Sequence, residues 1–152
     1  MMLFSESIFP YKGLTSLHLY QDLNETKVFL TDSGIPFREE VWAAESETTP
    51  NPWNVIVIEN VMSLFFARNG KLFKIVLWES FDGSLPNGIG TGMDIEMAKK
   101  LDPQLIFDEW NEDYESPDGY WLEDDAESGR VISISIFIKE LLDEDTFDRC
   151  NW

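Results

Sequence analysis

The chain contains one cysteine and one histidine among its 152 residues, and only 11 lysines and arginines against 29 acids. Each scarcity excludes something. A single thiol cannot build an internal disulfide framework. One Cys and one His fall short of the four ligands of structural zinc and of the two or three histidines usual in a catalytic zinc site. A formal charge of −18 opposes the phosphate contacts and counterion release that drive ordinary nucleic-acid binding. It opposes an anionic membrane surface as well. Long apolar runs are also missing: residues 55–58 and 134–138 are strand-sized, well below the roughly 20 residues a membrane helix needs. Met1-Met2-Leu3-Phe4-Ser5-Glu6 has an early acid and no basic region of the kind that opens a signal peptide. A reduced, cytoplasmic protein is therefore expected, with Cys150 incidental.

What is present is core material. A composition 43% hydrophobic and 14% aromatic excludes a disordered acidic tail, which lacks aromatics. The length suits a single domain over residues 1–152, large enough to bury roughly two-thirds of its unfolded surface.

The clearest strands are β-branched and aromatic runs with turn residues between them. Residues 61–67 and 72–78 flank Arg68-Asn69-Gly70-Lys71 and predict a hairpin, in which Asn-Gly supplies the two positive φ angles of a tight turn. Residues 53–59 form another strand after the breaker Pro50-Asn51-Pro52, and residues 37–43 a further one after Ser33-Gly34-Ile35-Pro36. Residues 130–138 are a strand in which Ile132, Ile134, Ile136 and Ile138 share one face, with Ser133 and Ser135 on the other, as period-two alternation requires. Residues 139–147 suggest a short helix before an acidic, frayed tail.

Two helix signals resemble each other. Residues 22–30 open on Asp22 and residues 94–101 on Asp94, each able to cap a first turn. Both read Asp-aliphatic-x-x-small-Lys, with an apolar residue two positions after the Lys. The match fits an internal duplication of helix plus strands, with structural halves 1–82 and 83–152; it also fits coincidence, because Asp caps are common. The architecture expected is α+β: an antiparallel sheet with one dry and one wet face and two helices packed on the dry one. Residues 83–92 read as a flexible joint between the halves.

Candidate chemistry is thin. Gly88, Gly90 and Gly92 fall as GxGxG about ten residues after the nearest strand, so they match neither a dinucleotide loop nor a P-loop. His18, in Leu17-His18-Leu19-Tyr20, has no nucleophile motif beside it and reads as a packed strand residue. Neither a metal nor a cofactor is expected.

The strongest feature is acidic. Residues 102–127 hold eleven of the 29 acids and no base. Paired carboxylates doing general acid/base work or glycoside hydrolysis need a pocket and a raised pKa. Calcium needs a spaced ligand loop with a turn glycine, and Asp113 stands where that glycine belongs. A solvated acidic face is the plain alternative. Interleaved aromatics distinguish this stretch: Trp and Tyr anchor binding hot spots, while carboxylates steer a basic partner. The candidate partner-binding residues are Asp108, Glu109, Trp110, Glu112, Asp113, Tyr114, Glu115, Asp118 and Tyr120.

An acidic, single-domain α+β chain with aromatic–acidic segments and no catalytic constellation resembles the bacterial immunity proteins of contact-dependent growth inhibition and related polymorphic toxin systems. The paired helix signals at 22–30 and 94–101 look like a tandem-repeat inhibitor fold of the β-lactamase inhibitor protein type. The resemblance implies a non-enzymatic role: neutralising a cognate toxin domain, basic if it is a nuclease, by covering its active cleft. Two other classes stay open, a nucleic-acid mimic acting on DNA-binding proteins and a small carboxylate-based hydrolase.

Overall fold

The computed structural model describes residues 5–42 and 52–152. Ala43, Pro50 and Asn51 of the expected strand end and breaker lie outside them. The elements are α1 (Leu23–Asp32), β1 (Arg38–Trp42), β2 (Trp53–Ile58), β3 (Met62–Phe66), β4 (Leu72–Leu77), α2 (Ile95–Leu101), β5 (Ile106–Asp108), β6 (Asp113–Ser116), β7 (Tyr120–Asp124), β8 (Val131–Phe137) and α3 (Glu144–Arg149), with a 3₁₀ turn at Lys139–Leu142 before α3. All eight strands join one antiparallel sheet in the order β1-β2-β3-β4-β8-β7-β6-β5. The α+β class and antiparallel sheet expected from the sequence are present.

A helix followed by four antiparallel strands occurs twice, and the last strand of each set pairs with the other at the centre of the sheet. The two sets share detailed hydrogen bonding. Asp22 Oδ2 accepts from the Asn24 amide at 2.9 Å, and Asp94 Oδ1 accepts from the Glu96 amide at 2.8 Å. The Leu23 amide donates to Gly70 O and the Ile95 amide to Gly129 O, both at 2.8 Å. Gly70 and Gly129 both take positive φ, +79° and +69°, a conformation glycine adopts without a Cβ penalty. Each set also carries one register shift in its last hairpin, at Phe65/Phe66 and at Glu123/Asp124. Such a bulge adds one residue to a strand and sharpens its twist.

Strand register sorts the side chains. Met62, Leu64, Ile75, Leu77, Leu122, Ile134 and Ile136 fall on one face and are buried. The helices cover this face with Thr26 and Leu30 of α1 and Ile95 and Ala98 of α2. Each large aliphatic side chain so buried contributes about 1.5–3 kcal/mol relative to exposure.

The opposite face is not wet, contrary to the sequence expectation. Ser133 and Ser135 are buried there. Trp121 pairs across from Ser135 and packs on Phe137 at 4.2 Å between ring centroids, and Tyr11 meets Phe137 edge-on. Ile132, the extra residue of the bulge, is only half-buried. At the other end of this face α3 inserts Phe147 against Phe73, centroids 4.8 Å apart, and Trp152 stacks on Phe147.

Four further expectations change. The segment after α3 is docked: Lys71 Nζ and Asn69 Nδ2 donate to the main-chain oxygen of Trp152 at 3.0 and 3.1 Å. The Asn69-Gly70 hairpin uses one positive φ, at Gly70, because Ala67–Gly70 closes a turn of its own and the glycine follows it. Residues 83–92 are a packed connector, with Leu85 and Ile89 buried and the Leu85 amide donating to Ile89 O at 2.8 Å. His18 is exposed, its Nε2 lying 3.1 Å from Thr15 O, while its neighbours Leu17 and Leu19 are the buried ones.

Candidate functional site

The acidic segment folds as the outer strands of the sheet, and β5 is its free edge. Asp108 pairs with Asp113 across a four-residue loop. The carboxylate of Asp108 organises that loop: Oδ1 accepts from the Trp110 amide at 2.9 Å and the Asn111 amide at 3.4 Å, and Oδ2 accepts from Asn111 Nδ2 at 2.9 Å. These bonds, the Trp110 amide foremost, hold the Asp108 carboxyl below the usual carboxylate range. Glu112 closes the loop at φ +56°. Backbone order thus ends in a free side chain, for Trp110 stands 92% exposed at the tip. Glu109 and Glu112 beside it are exposed as well.

The two sides of the β5–β6 hairpin differ. On the helix side Phe107 lies 4.9 Å from Tyr114, and the Lys99 ammonium sits 5.0 Å above the Tyr114 ring. On the other side Asp108, Asp113 and Glu115 project together, one carboxylate oxygen from each within 4.8 Å of the others. Asp113 is only 8% exposed, and its Oδ1 has no hydrogen-bond partner among the described residues. Burial, then Glu115, then the charges of Asp108 and Glu123 push its carboxyl up to about 7. Next to the cluster runs an open groove of about 980 Å³, lined by Ile106, Trp121, Leu142, Tyr11, Asp108 and Glu115 among others. Ile106 and Leu142 are strongly exposed.

Some proposed contact residues are therefore available and others are not. Asp108, Glu109, Trp110, Glu112, Glu115 and Asp118 reach the surface. Tyr114 is half-buried under Lys99. Asp113 is buried beneath its neighbours. Tyr120 is 1% exposed and cannot meet a partner: its hydroxyl donates to Asp102, which also accepts from Ser116 Oγ at 2.7 Å and the Gln104 amide at 3.0 Å. Burial and that bond push the Tyr120 hydroxyl up to about 12. Burial alone would raise Asp102, yet the three donors hold it below its ordinary value. This network ties the end of α2 to β6 and β7, so Asp102 leaves the acidic surface too.

Several residues escaped sequence reasoning. Lys74 is half-buried between the rings of Phe65 and Trp121, 5.3 and 5.4 Å from their centroids. Desolvation lowers its pKa, against the charges of Glu123 and Asp113. A run of acids along the chain thus has two bases beside it in space, Lys74 and Lys99. Ile106 alternates with Asp108 along β5, a signal present in the sequence. Leu142 and Tyr11 arrive from distant segments and left none. Comparison with protein-family models, with curated proteins and with solved structures returned no match.

Proposed function

We propose that this chain is a cytoplasmic immunity-type inhibitor, binding a basic protein toxin domain through the β5–β6 hairpin and covering its active cleft. The observation that carries the reading is Trp110: a 92% exposed indole on a loop ordered by its own hydrogen bonds and flanked by Glu109 and Glu112. Exposing that much apolar surface on an ordered loop stabilises nothing within the chain. Aromatic anchors ringed by polar groups are what binding hot spots are made of. The exposed acids supply the steering field, which sets the association rate and weakens with salt. The formal charge of −18 extends that field to the whole molecule.

The hydrolase alternative draws less support. Asp113, the acid with the raised proton affinity, is not on the lining of the groove that Asp108 and Glu115 reach. Nucleic-acid mimicry needs acids spaced along one face in place of a single aromatic-tipped hairpin.

The test is titration against the toxin domain encoded beside this chain, at several salt concentrations. A tight complex, with an association rate that falls as salt rises, supports the reading. No complex at low salt overturns it. Equal binding to several unrelated DNA-binding proteins would replace it with mimicry.

A further inference from the structure

We propose that Asp108, Asp113 and Glu115 form a binding site for a hard divalent cation of calcium's size. Two independent observations carry this. The first is spacing: one oxygen from each carboxylate lies within 4.8 Å of the other two. Calcium–oxygen bonds of 2.3–2.6 Å put ligands on opposite sides of the ion about 4.6–5.2 Å apart and neighbouring ones closer, so the three oxygens fit around one such ion. The second is the state of Asp113. Asp113 as a residue is 8% exposed, its Oδ1 is shut off from water, and that atom finds no donor among the described residues. An acceptor withdrawn from water and left unpaired is costly, and a cation between the three groups satisfies it.

The surroundings suit such an ion. No lysine or arginine lies within ion-pair distance of the three carboxylates among the described residues. The nearby Lys74 ammonium is engaged by the Phe65 and Trp121 rings. Asn111 Nδ2 sits 2.9 Å from Asp108 Oδ2 and 3.5 Å from Glu115 Oε2. Turning that amide over presents Oδ1 as a fourth, neutral oxygen. Asp108 and Glu115 also line the open groove, which gives the ion an entry path and leaves room for water ligands. The ligands come from β5, β6 and the loop between them, so the ion cross-links the base of the Trp110 hairpin. All-oxygen ligation by carboxylate and amide favours calcium, magnesium or manganese over zinc or copper, and calcium accepts the irregular, partly hydrated geometry of such a site more readily than magnesium, which demands a near-ideal octahedron. The site does not depend on the partner proposed above.

The experiment is calorimetric titration of calcium chloride into the full chain at pH 7.5, with terbium luminescence excited through tryptophan as a second readout. The expected result is one saturable site with Kd of about 10⁻⁴–10⁻³ M, the range of weak calcium modules. Glu115→Gln and Asp108→Asn, both at half-exposed positions compatible with folding, should each weaken it about tenfold or more. Absence of saturable binding, or equal binding by both variants, overturns the site and reduces calcium uptake to the diffuse field of the acidic chain. Tighter binding of magnesium than calcium overturns the size assignment.

Discussion

The Tyr120 hydroxyl donates to the Asp102 carboxylate inside the protein, joining β7 to the end of α2. Both residues belong to the most acidic and aromatic stretch of the chain, and both are buried. Tyr120→Phe keeps the ring in its cavity and removes the donor from a charged acceptor. A hydrogen bond to a charged group contributes about 1.5–3 kcal/mol, so a loss of that order is expected in urea unfolding at pH 7. Asp102 has a lowered pKa in the folded chain, so its contribution is present above the ordinary carboxylate range. It is lost as pH falls through the folded value. The gap between the native chain and Tyr120→Phe should therefore shrink in acid, and a gap that widens there would contradict the network.

The two helix caps provide a test of the repeat. Asp22 and Asp94 make the same bond to the amide two residues on, and replacing such a cap by alanine costs about 1 kcal/mol. Asp22→Ala and Asp94→Ala should destabilise the chain by similar amounts. The double variant should lose their sum, because the caps share no partner. Equilibrium unfolding of the three variants measures this. A cost at one site only would show that the two helices are not equivalent in energy.

Asp113 makes stability depend on pH in the opposite sense to Asp102. Its folded pKa of about 7 lies above the ordinary 3.8, so the folded chain holds its proton more tightly than the unfolded chain. The resulting stabilisation is complete below the ordinary value and disappears as pH rises towards 7. Burial raises its pKa most, and Glu115, Asp108 and Glu123 facing the group add to it, while the Asp113 charge in turn supports the ionised Lys74 ammonium. Asp113→Asn removes the ionisation. Thermal melts with a chelator present should show the variant gaining on the native chain between pH 5 and pH 8. A constant difference across that range would place the Asp113 carboxylate in contact with water.

The sheet was legible because its signals are local. Alternation in 131–137, the aliphatic run 55–58 and the Asp22 and Asp94 caps each specify an element from neighbouring residues alone. The fate of the serine face was not legible. Ser133 and Ser135 look solvent-directed in one strand, and only the arrival of Trp121, Phe137 and Tyr11 from other segments buries them. The same limit divided the candidate site. Period-two alternation puts Tyr114 and Ser116 on one side of β6 with Asp113 and Glu115 on the other, but which side receives a helix depends on the whole topology. Tyr120 and Trp110 are indistinguishable as residue types, an aromatic among acids. One sits at a strand position next to the central strand β8 and the other at the tip of an edge hairpin, so their roles diverge. Asp108, Asp113 and Glu115 lie within eight residues, yet they converge only because the loop folds Asp113 back opposite Asp108.

Trp110 separates binding from folding most cleanly. Its side chain is almost fully exposed, and the bonds that order its loop use its main-chain amide and the Asp108 carboxylate. Trp110→Ala should therefore leave stability within about 0.5 kcal/mol of the native chain, as for a surface residue without structural partners. Partner binding should respond differently. Truncating a hot-spot tryptophan costs about 2 kcal/mol or more, roughly a 30-fold loss in affinity at 1.4 kcal/mol per decade, and it should be expressed mainly as faster dissociation. Glu109→Gln and Glu112→Gln carry no such anchor. They should slow association at low salt and leave the dissociation rate nearly unchanged, because rim charges act on encounter. Surface-bound kinetics with the toxin domain at two ionic strengths resolve the two effects. An unchanged dissociation rate for Trp110→Ala would move the interface away from the β5–β6 tip, towards the groove lined by Ile106, Trp121 and Leu142.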